Sequence, residues 1–381
     1  MRFSDIPGNQ SVKQHLISSV QSGRVSHAQL FLGDDGSAAL PLAWAYVQYL
    51  ACQNKKAEDA CGACPSCLKY NKLAHPDLHW VFPVTTGKTA HPVSDHFIAE
   101  FREAVLENPY FSETQWYTHL GVENKQGFVS VTEATELTKK MALKSYEGGY
   151  KVVIIWHAEK MHTATANKLL KLLEEPPLKT LFILIAPQKE QLLTTILSRV
   201  QATQVNTLSD EDMQAFLINE KKADVGAAYQ ATHLAEGNIN EAIRLFEGDE
   251  TLEENTELFQ NWMRLCYQAD ILGVTNWIDK AAKIGREGQK SFLQYALHMV
   301  RESLVHNFAS NDLQRLRGEE QDFANKFSPF IHENNAVELM KELEQAHQHI
   351  GRNASAKILF MDLSLKVVLL LRLKSLNLQL T

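Results

Sequence analysis

The sequence predicts an α/β layer with a parallel sheet over residues 1–205 and helices alone thereafter. Three observations point there. Val152–Ile155 is an apolar, β-branched run and Leu181–Ala186 an apolar one, both without alternation, the pattern of strands buried on both faces. Between them runs a helical stretch from Asn167 to Glu175, stopped by Pro176 and Pro177, so strand and helix alternate. From about residue 251, apolar residues recur only at helical spacing: Leu258, Trp262 and Leu265, then Phe292, Tyr295, Met299 and Leu304.

In chain order, an opening helix follows Asn9, a good N-cap, and sets Val12, Leu16, Ile17 and Val20 on one face before Gly23. Gln29–Leu32 reads as a strand, followed by Gly33-Asp-Asp-Gly36-Ser-Ala-Ala-Leu40 and a helix to about Ala51. Strand, loop and helix are the frame of a phosphate loop, G-x-x-x-x-G-K-[ST]. Gly33 fits its first glycine, but Ala38, Ala39 and Leu40 stand where the second glycine, the lysine and the hydroxyl belong. The lysine and the Mg²⁺-binding hydroxyl are both missing, and Asp34 and Asp35 add negative charge where phosphates would sit. Gly87-Lys88-Thr89 imitates the tail of such a loop, but Phe82 holds its first-glycine position and no helix pattern follows directly.

The strand Val152–Ile155 repeats the loss. P-loop NTPases place an acidic residue at the end of such a strand to help hold Mg²⁺. A second carboxylate then polarises the attacking water. Trp156 and His157 occupy those two positions. Indole offers only an N–H donor, and a neutral imidazole suits softer metals than Mg²⁺.

Four of the five cysteines, Cys52, Cys61, Cys64 and Cys67, have the spacing C-x8-C-x2-C-x2-C, with Gly62 and Pro65 allowing tight turns. Four thiolates form a closed tetrahedral Zn²⁺ site with no position open to substrate, hence a structural one. Disulfides need an oxidising compartment, and Met1–Gly8 lacks the apolar core of a signal peptide. Redox chemistry is the alternative, since C-x-x-C also serves oxidoreductases. His75 and His79 are nearby spare donors, and Cys266 stands alone as a core residue.

Residues 83–127 interrupt the alternation and carry Phe97, Phe101, Tyr110, Phe111, Trp116 and Tyr117, read as a local core and not as a base-stacking surface. Residues 206–250 read as a small helical lid: Ser209 caps a helix containing Met213, Phe216 and Leu217, and a second helix follows Asn238. The expected organisation is therefore 1–205 with a zinc module at 52–67, a lid at 206–250, and a helix bundle at 251–381. The apolar run Val367–Leu371, flanked by Lys366 and Arg372, is too short to span a membrane.

Several motifs in order carry a resemblance: Phe3-Ser-Asp-Ile-Pro-Gly-Asn-Gln10, His27-Ala-Gln-Leu-Phe31, the four-cysteine module, Leu169-Leu-Lys-Leu-Leu-Glu-Glu-Pro-Pro177, and Ser198-Arg199. The chain resembles the bacterial clamp-loader subunits of DNA polymerase III, an AAA+ family, and within it the delta-prime group. The resemblance runs along most of the chain and is strongest over 1–205. It implies an AAA+ P-loop-type sheet with helices on both faces, a helical lid and a C-terminal collar domain. It also implies a cytoplasmic location and, as partners, the gamma/tau ATPase subunits and delta. The sliding clamp and primed DNA would be reached through the assembly.

In that family the delta-prime group keeps the fold without turning over ATP. The altered loop (Gly33, Gly36, Ala38, Ala39, Leu40) and the altered strand end (Trp156, His157) place this chain there, with no nucleotide cofactor expected. ATPase members carry a sensor arginine in a Gly-x-x-Arg turn; here the stretch is Gly237-Asn-Ile-Asn240, so Asn240 replaces it, with Arg244 one turn on. Ser198-Arg199 matches the family's Ser-Arg-Cys motif, with Val200 in place of Cys. The resemblance makes Arg199 an arginine finger for a neighbouring ATP site, with Ser198 supporting it. Read from its residues alone, Arg199 caps its short helix.

Composition sets the outer bounds. The length of 381 residues allows two or three domains, and 22% charged residues is ordinary for a globular protein. The net charge of −7 argues against a dedicated nucleic-acid binder, and so against a free-standing zinc-dependent DNA-binding protein. An active ATPase of the same family with unorthodox motifs is the alternative, and it has three losses to explain.

Overall fold

The computed structural model describes residues 1–85, 92–122, 126–247, 251–308, 323, 325–351 and 354–373; the Gly87-Lys88-Thr89 imitation lies outside them. Two compact units are present, one of Met1–Ala223 with Ala235–Ile243, the other of Asp224–Leu234 with the chain from Arg244 onward.

The first unit is built on five parallel strands: β1 (Ala28–Leu32), β2 (Leu78–Val81), β3 (Lys151–Ile155), β4 (Thr180–Ala186) and β5 (Gln201–Gln204), in the order β2-β3-β4-β1-β5. Position in the sheet explains composition. β1, β3 and β4 are interior strands and are buried throughout, whereas polar Gln201–Gln204 forms an edge and is largely exposed.

Helices cover both faces. On one, Leu30, Leu32, Val153, Ile155, Phe182 and Leu184 pack with Leu137 and Met141 of α6 (Val131–Ala142) and with Leu169 and Leu173 of α7 (Thr163–Glu174). On the other, Phe31 of β1 meets Tyr46 of α2 (Ala39–Ala51) at 6.5 Å. α2 is buried from Ala39 to Tyr49, with α1 (Gln10–Gln21) and α3 (Pro65–Asn71) beside it, which is why it is apolar nearly all round. Asn9 does precede α1, but it is left-handed and makes no side-chain cap; its amide instead exchanges hydrogen bonds with the backbone of Asn206 at 3.1 and 3.2 Å.

The insertion supplies two helices, α4 (Ile98–Glu107) and α5 (Glu113–His119), and its aromatics form a core. Phe101 stacks on Phe82 at 3.9 Å, and Trp116 stands edge-on to both at 5.3 and 5.5 Å. The Trp116 indole donates to the Pro83 carbonyl at 2.8 Å, so its one polar atom is satisfied. Phe101, Tyr110, Phe111, Trp116 and Tyr117 are buried and Phe97 is half-buried, which leaves no row of open rings for bases. Trp116→Ala should cost about 3–5 kcal/mol through cavity creation. A thermal melt within a degree or two of wild type would contradict this packing.

The short α8 (Thr194–Leu197) precedes β5, and α9 (Asp210–Asn219) follows it, with Ser209 accepting from the Asp212 amide at 3.1 Å as its cap. Two further helices, α10 (Val225–Ala235) and α11 (Ile239–Phe246), complete the region read as a lid.

The second unit also contains α12 (Thr251–Gln268), α13 (Ile271–Ala281), α14 (Gly285–Phe308) and the helices Ala336–Gly351 and Ala356–Leu370. Trp262 and Trp277 stack at 5.2 Å at its centre, and the Trp262 indole donates to Ser364 at 2.8 Å. Cys266 is fully buried in this core, as expected. Among the described residues no helix is long and apolar enough to cross a membrane.

Candidate functional site

β1 delivers Gly33 to Ser37 to the end of the sheet, and α2 starts at Ala39. Gly36 has φ +81°, and a Cβ there would meet the Asn238 amide at 2.6 Å, so the turn needs glycine. Asn238 donates to the Asp35 carbonyl at 2.9 Å and the Asn240 amide to the Gly36 carbonyl at 3.4 Å. Asn240 also accepts from Asn108 at 2.8 Å. Asn240 thus ties the loop to the insertion.

Of the loop's two acidic residues, Asp35 is engaged within the chain. One Asp35 carboxylate oxygen lies 3.3 Å from His157 Nε2, and the other accepts the Glu113 amide at the start of α5, at 2.9 Å. His157 Nδ1 is hydrogen-bonded to Glu159 at 2.8 Å. Burial alone would strip the imidazole of its proton, but Asp35 and Glu159 outweigh it and push the His157 pKa up to about 10. Glu113 in turn pairs with Lys160 at 2.8 Å and accepts from the Tyr117 hydroxyl at 2.5 Å.

Trp156 is buried against Phe111, with centroids 4.7 Å apart. Pro109, Tyr110 and Phe111 complete the wall of the cleft over the loop. The cavity left there is about 20 Å³, room for roughly one water. The cleft thus holds an imidazolium between two carboxylates where a triphosphate would need a lysine and Mg²⁺.

Because the folded pKa of His157 exceeds its ordinary value of 6.5, its contribution is complete below that value and is lost as pH rises through about 10. His157→Gln should cost about 2–3 kcal/mol near neutral pH, less than a fully buried pair because the Asp35 side chain is 36% exposed. The gap in melting temperature between variant and wild type should shrink between pH 7 and pH 10. A gap that widens over that range would contradict a charged His157.

Arg199 lies at the surface just beyond α8, its side chain 31% exposed. Nε donates to Glu174 Oε1 at 2.7 Å, Nη2 reaches the same oxygen, and Nη1 donates to the Thr195 carbonyl at 2.7 Å and to Ser198 Oγ at 2.9 Å. The bond to Thr195 is a C-terminal cap of the short helix, as the residues alone suggested. Ser198 supports it by touching both the guanidinium and Thr195. Arg244 is half-buried and donates to Ser291 at 2.9 Å within the helical unit.

The cysteines form the second candidate site. Cys52 ends α2, and Cys64 is the N-cap of α3 with Pro65 in its first turn. All five cysteines are free thiols, and the four sulfurs of Cys52, Cys61, Cys64 and Cys67 lie within 4.8 Å of one another, a group able to hold a metal ion. Cys61 and Cys67 Sγ are 3.9 Å apart, close to the roughly 3.8 Å edge of a tetrahedron with 2.3 Å metal–sulfur bonds. Amides of Cys61, Cys64 and Cys67 point at the sulfurs of Cys52, Cys61 and Cys64 at 3.3, 3.3 and 3.5 Å, a pattern that favours thiolates. His75 is committed elsewhere: its ring stacks on Tyr70 at 4.5 Å and binds Glu147 at 3.0 Å. Burial lowers the pKa of His79 to about 4.

Comparison with known proteins now decides the family. A family model described as "DNA polymerase III, delta subunit" matches residues 8–209, just over half of the chain. The chain belongs to this family. Among relatives of the family, Escherichia coli (strain K12) DNA polymerase III subunit delta' is 28% identical over 236 residues, covering 62% of this chain and 59% of that protein. The Bacillus subtilis (strain 168) subunit delta' is 29% identical over 251 residues, covering 65% and 62%. The match thus spans about three fifths of the length of these relatives. A gamma-subunit-related protein from Thermotoga maritima aligns with a TM-score of 0.41 at 16% identity, over 94% of this chain and 99% of that one.

For this member of the DNA polymerase III delta-subunit family, the sequence marked Gly33–Leu40, Trp156, His157 and Arg199 but not what they touch. The chain brings Asp35, His157 and the insertion together, and sets Arg199 apart from them on Glu174. Asp34 and Asp35 stand far in sequence from His157 and Glu159, so nothing local in the sequence marks the first cluster.

Proposed function

We propose that this chain is a delta-prime-type clamp-loader subunit of DNA replication, one that does not turn over ATP and donates Arg199 to a neighbour's ATP site. The observation that carries the reading is the contrast between the two sites. At the chain's own phosphate-type loop Asp35 is paired with His157, and the cleft there has space for about one water. Arg199 meanwhile stands at the surface on a fixed set of hydrogen bonds. An arginine so placed serves a phosphate outside its own chain.

Residues 1–205, 206–250 and 251–381 are read as an AAA+ body, a lid and a collar. The collar would pack beside its equivalents in gamma/tau and delta subunits, and the assembly would place a sliding clamp on primed DNA in the cytoplasm. The four cysteines would hold Zn²⁺ as a closed structural ion, joining the end of α2 to the start of α3.

The test is reconstitution of the loader from this organism's subunits with clamp and primed DNA, with and without this chain. Loss of DNA-stimulated ATP hydrolysis and of clamp loading on omission is expected. Full activity without the chain would reject the reading.

A further inference from the structure

Glu174 is the last residue of α7, where the carbonyl ends of the helix repel a carboxylate. Its Oε1 nevertheless accepts from both Nε and Nη2 of Arg199, while Thr195 and Ser198 take both N–H groups of Nη1. Four of the five guanidinium N–H groups are thus fixed from two opposite edges, and one on Nη2 is left for an outside anion. Pro176 and Pro177 end the helix directly after, which limits how far Glu174 can drift. A surface ion pair of this kind adds little to stability. What it does accomplish is to remove the rotamer freedom of a long side chain at the protein's edge.

We infer that Glu174 is a positioning residue for the Arg199 finger: it sets the guanidinium plane before a neighbour's nucleotide arrives, so that the last Nη2 N–H meets the γ-phosphate without a search. This inference rests on the proposed role of Arg199. It assigns Glu174 no contact with the nucleotide, so its effect must pass entirely through Arg199.

The test is steady-state DNA-stimulated ATP hydrolysis by the reconstituted loader, comparing wild type, Glu174→Ala, Glu174→Gln, Arg199→Ala and the double variant Glu174→Ala/Arg199→Ala. Glu174→Ala should lower kcat roughly tenfold with KM for ATP unchanged. Glu174→Gln keeps an acceptor oxygen and should return to within about threefold of wild type. The double variant should match Arg199→Ala alone. An unchanged or raised kcat in Glu174→Ala, or a further loss in the double variant, would overturn the positioning role while leaving the finger standing. Wild-type activity in Arg199→Ala would overturn both.

Discussion

Arg199→Ala is expected to slow ATP hydrolysis at one site of the assembled loader by about 10³–10⁵-fold, the range for loss of an arginine finger. Assembly should survive, because the bonds lost within the chain are those of one partly exposed side chain: a pair with Glu174, which contributes at most about 1 kcal/mol, and local bonds to Thr195 and Ser198 in the same short segment. Arg199→Lys should recover little. A lysine is a point charge without the planar fork, and it cannot satisfy Glu174, Thr195 and Ser198 together as the guanidinium does. Single-turnover hydrolysis, with assembly checked by size-exclusion chromatography, separates the outcomes. An unchanged rate with the assembly intact would reduce Arg199 to a helix cap.

Cys64→Ser should carry the largest structural effect. Cys64 is both a candidate metal ligand and the N-cap of α3, its sulfur accepting from the Cys67 amide at 3.5 Å. Serine is at least as good a cap, so the substitution keeps the helix start and removes only the ligand. Metal binding to such clusters is worth about 10–16 kcal/mol in isolated zinc-finger peptides. Part of that should be lost here, seen as a lower melting temperature and a module that opens first to protease around residues 52–67. Metal analysis of wild type purified without added metal should give about one Zn²⁺ per chain. Intact thiols with no metal would sink the zinc assignment. Catalytic readouts of the assembly should fall only as far as folding does, since four cysteines leave no open coordination position.

How much was legible depended on what each residue touches. β3 and β4 were readable because strands buried on both faces are apolar without interruption, and α7 because two prolines stop it. The cysteine cluster was readable because its close spacing is that of residues able to meet at one ion, and the four sulfurs do converge. The edge strand β5 carried no such mark: Gln201 and Gln204 face solvent, and three polar residues around Ala202 look like a loop. Asn9 sat where a cap belongs but spends its amide on Asn206, nearly two hundred residues away. The pairing of Asp35 with His157 was hidden for the same reason. Asp35 meets His157 and the amide of Glu113 only after the sheet and the insertion are in place, and no local period announces a long-range ion pair.

The proposed loss of nucleotide binding at this loop can be measured directly. Isothermal titration of the isolated chain with MgATP at neutral pH addresses it without any partner. No saturable heat is expected up to about 1 mM, because a triphosphate would have to displace Asp35 from His157 and enter a space for one water without a lysine to receive it. Saturable binding in the micromolar range would contradict this, and would make the chain a nucleotide-binding subunit with an unorthodox site.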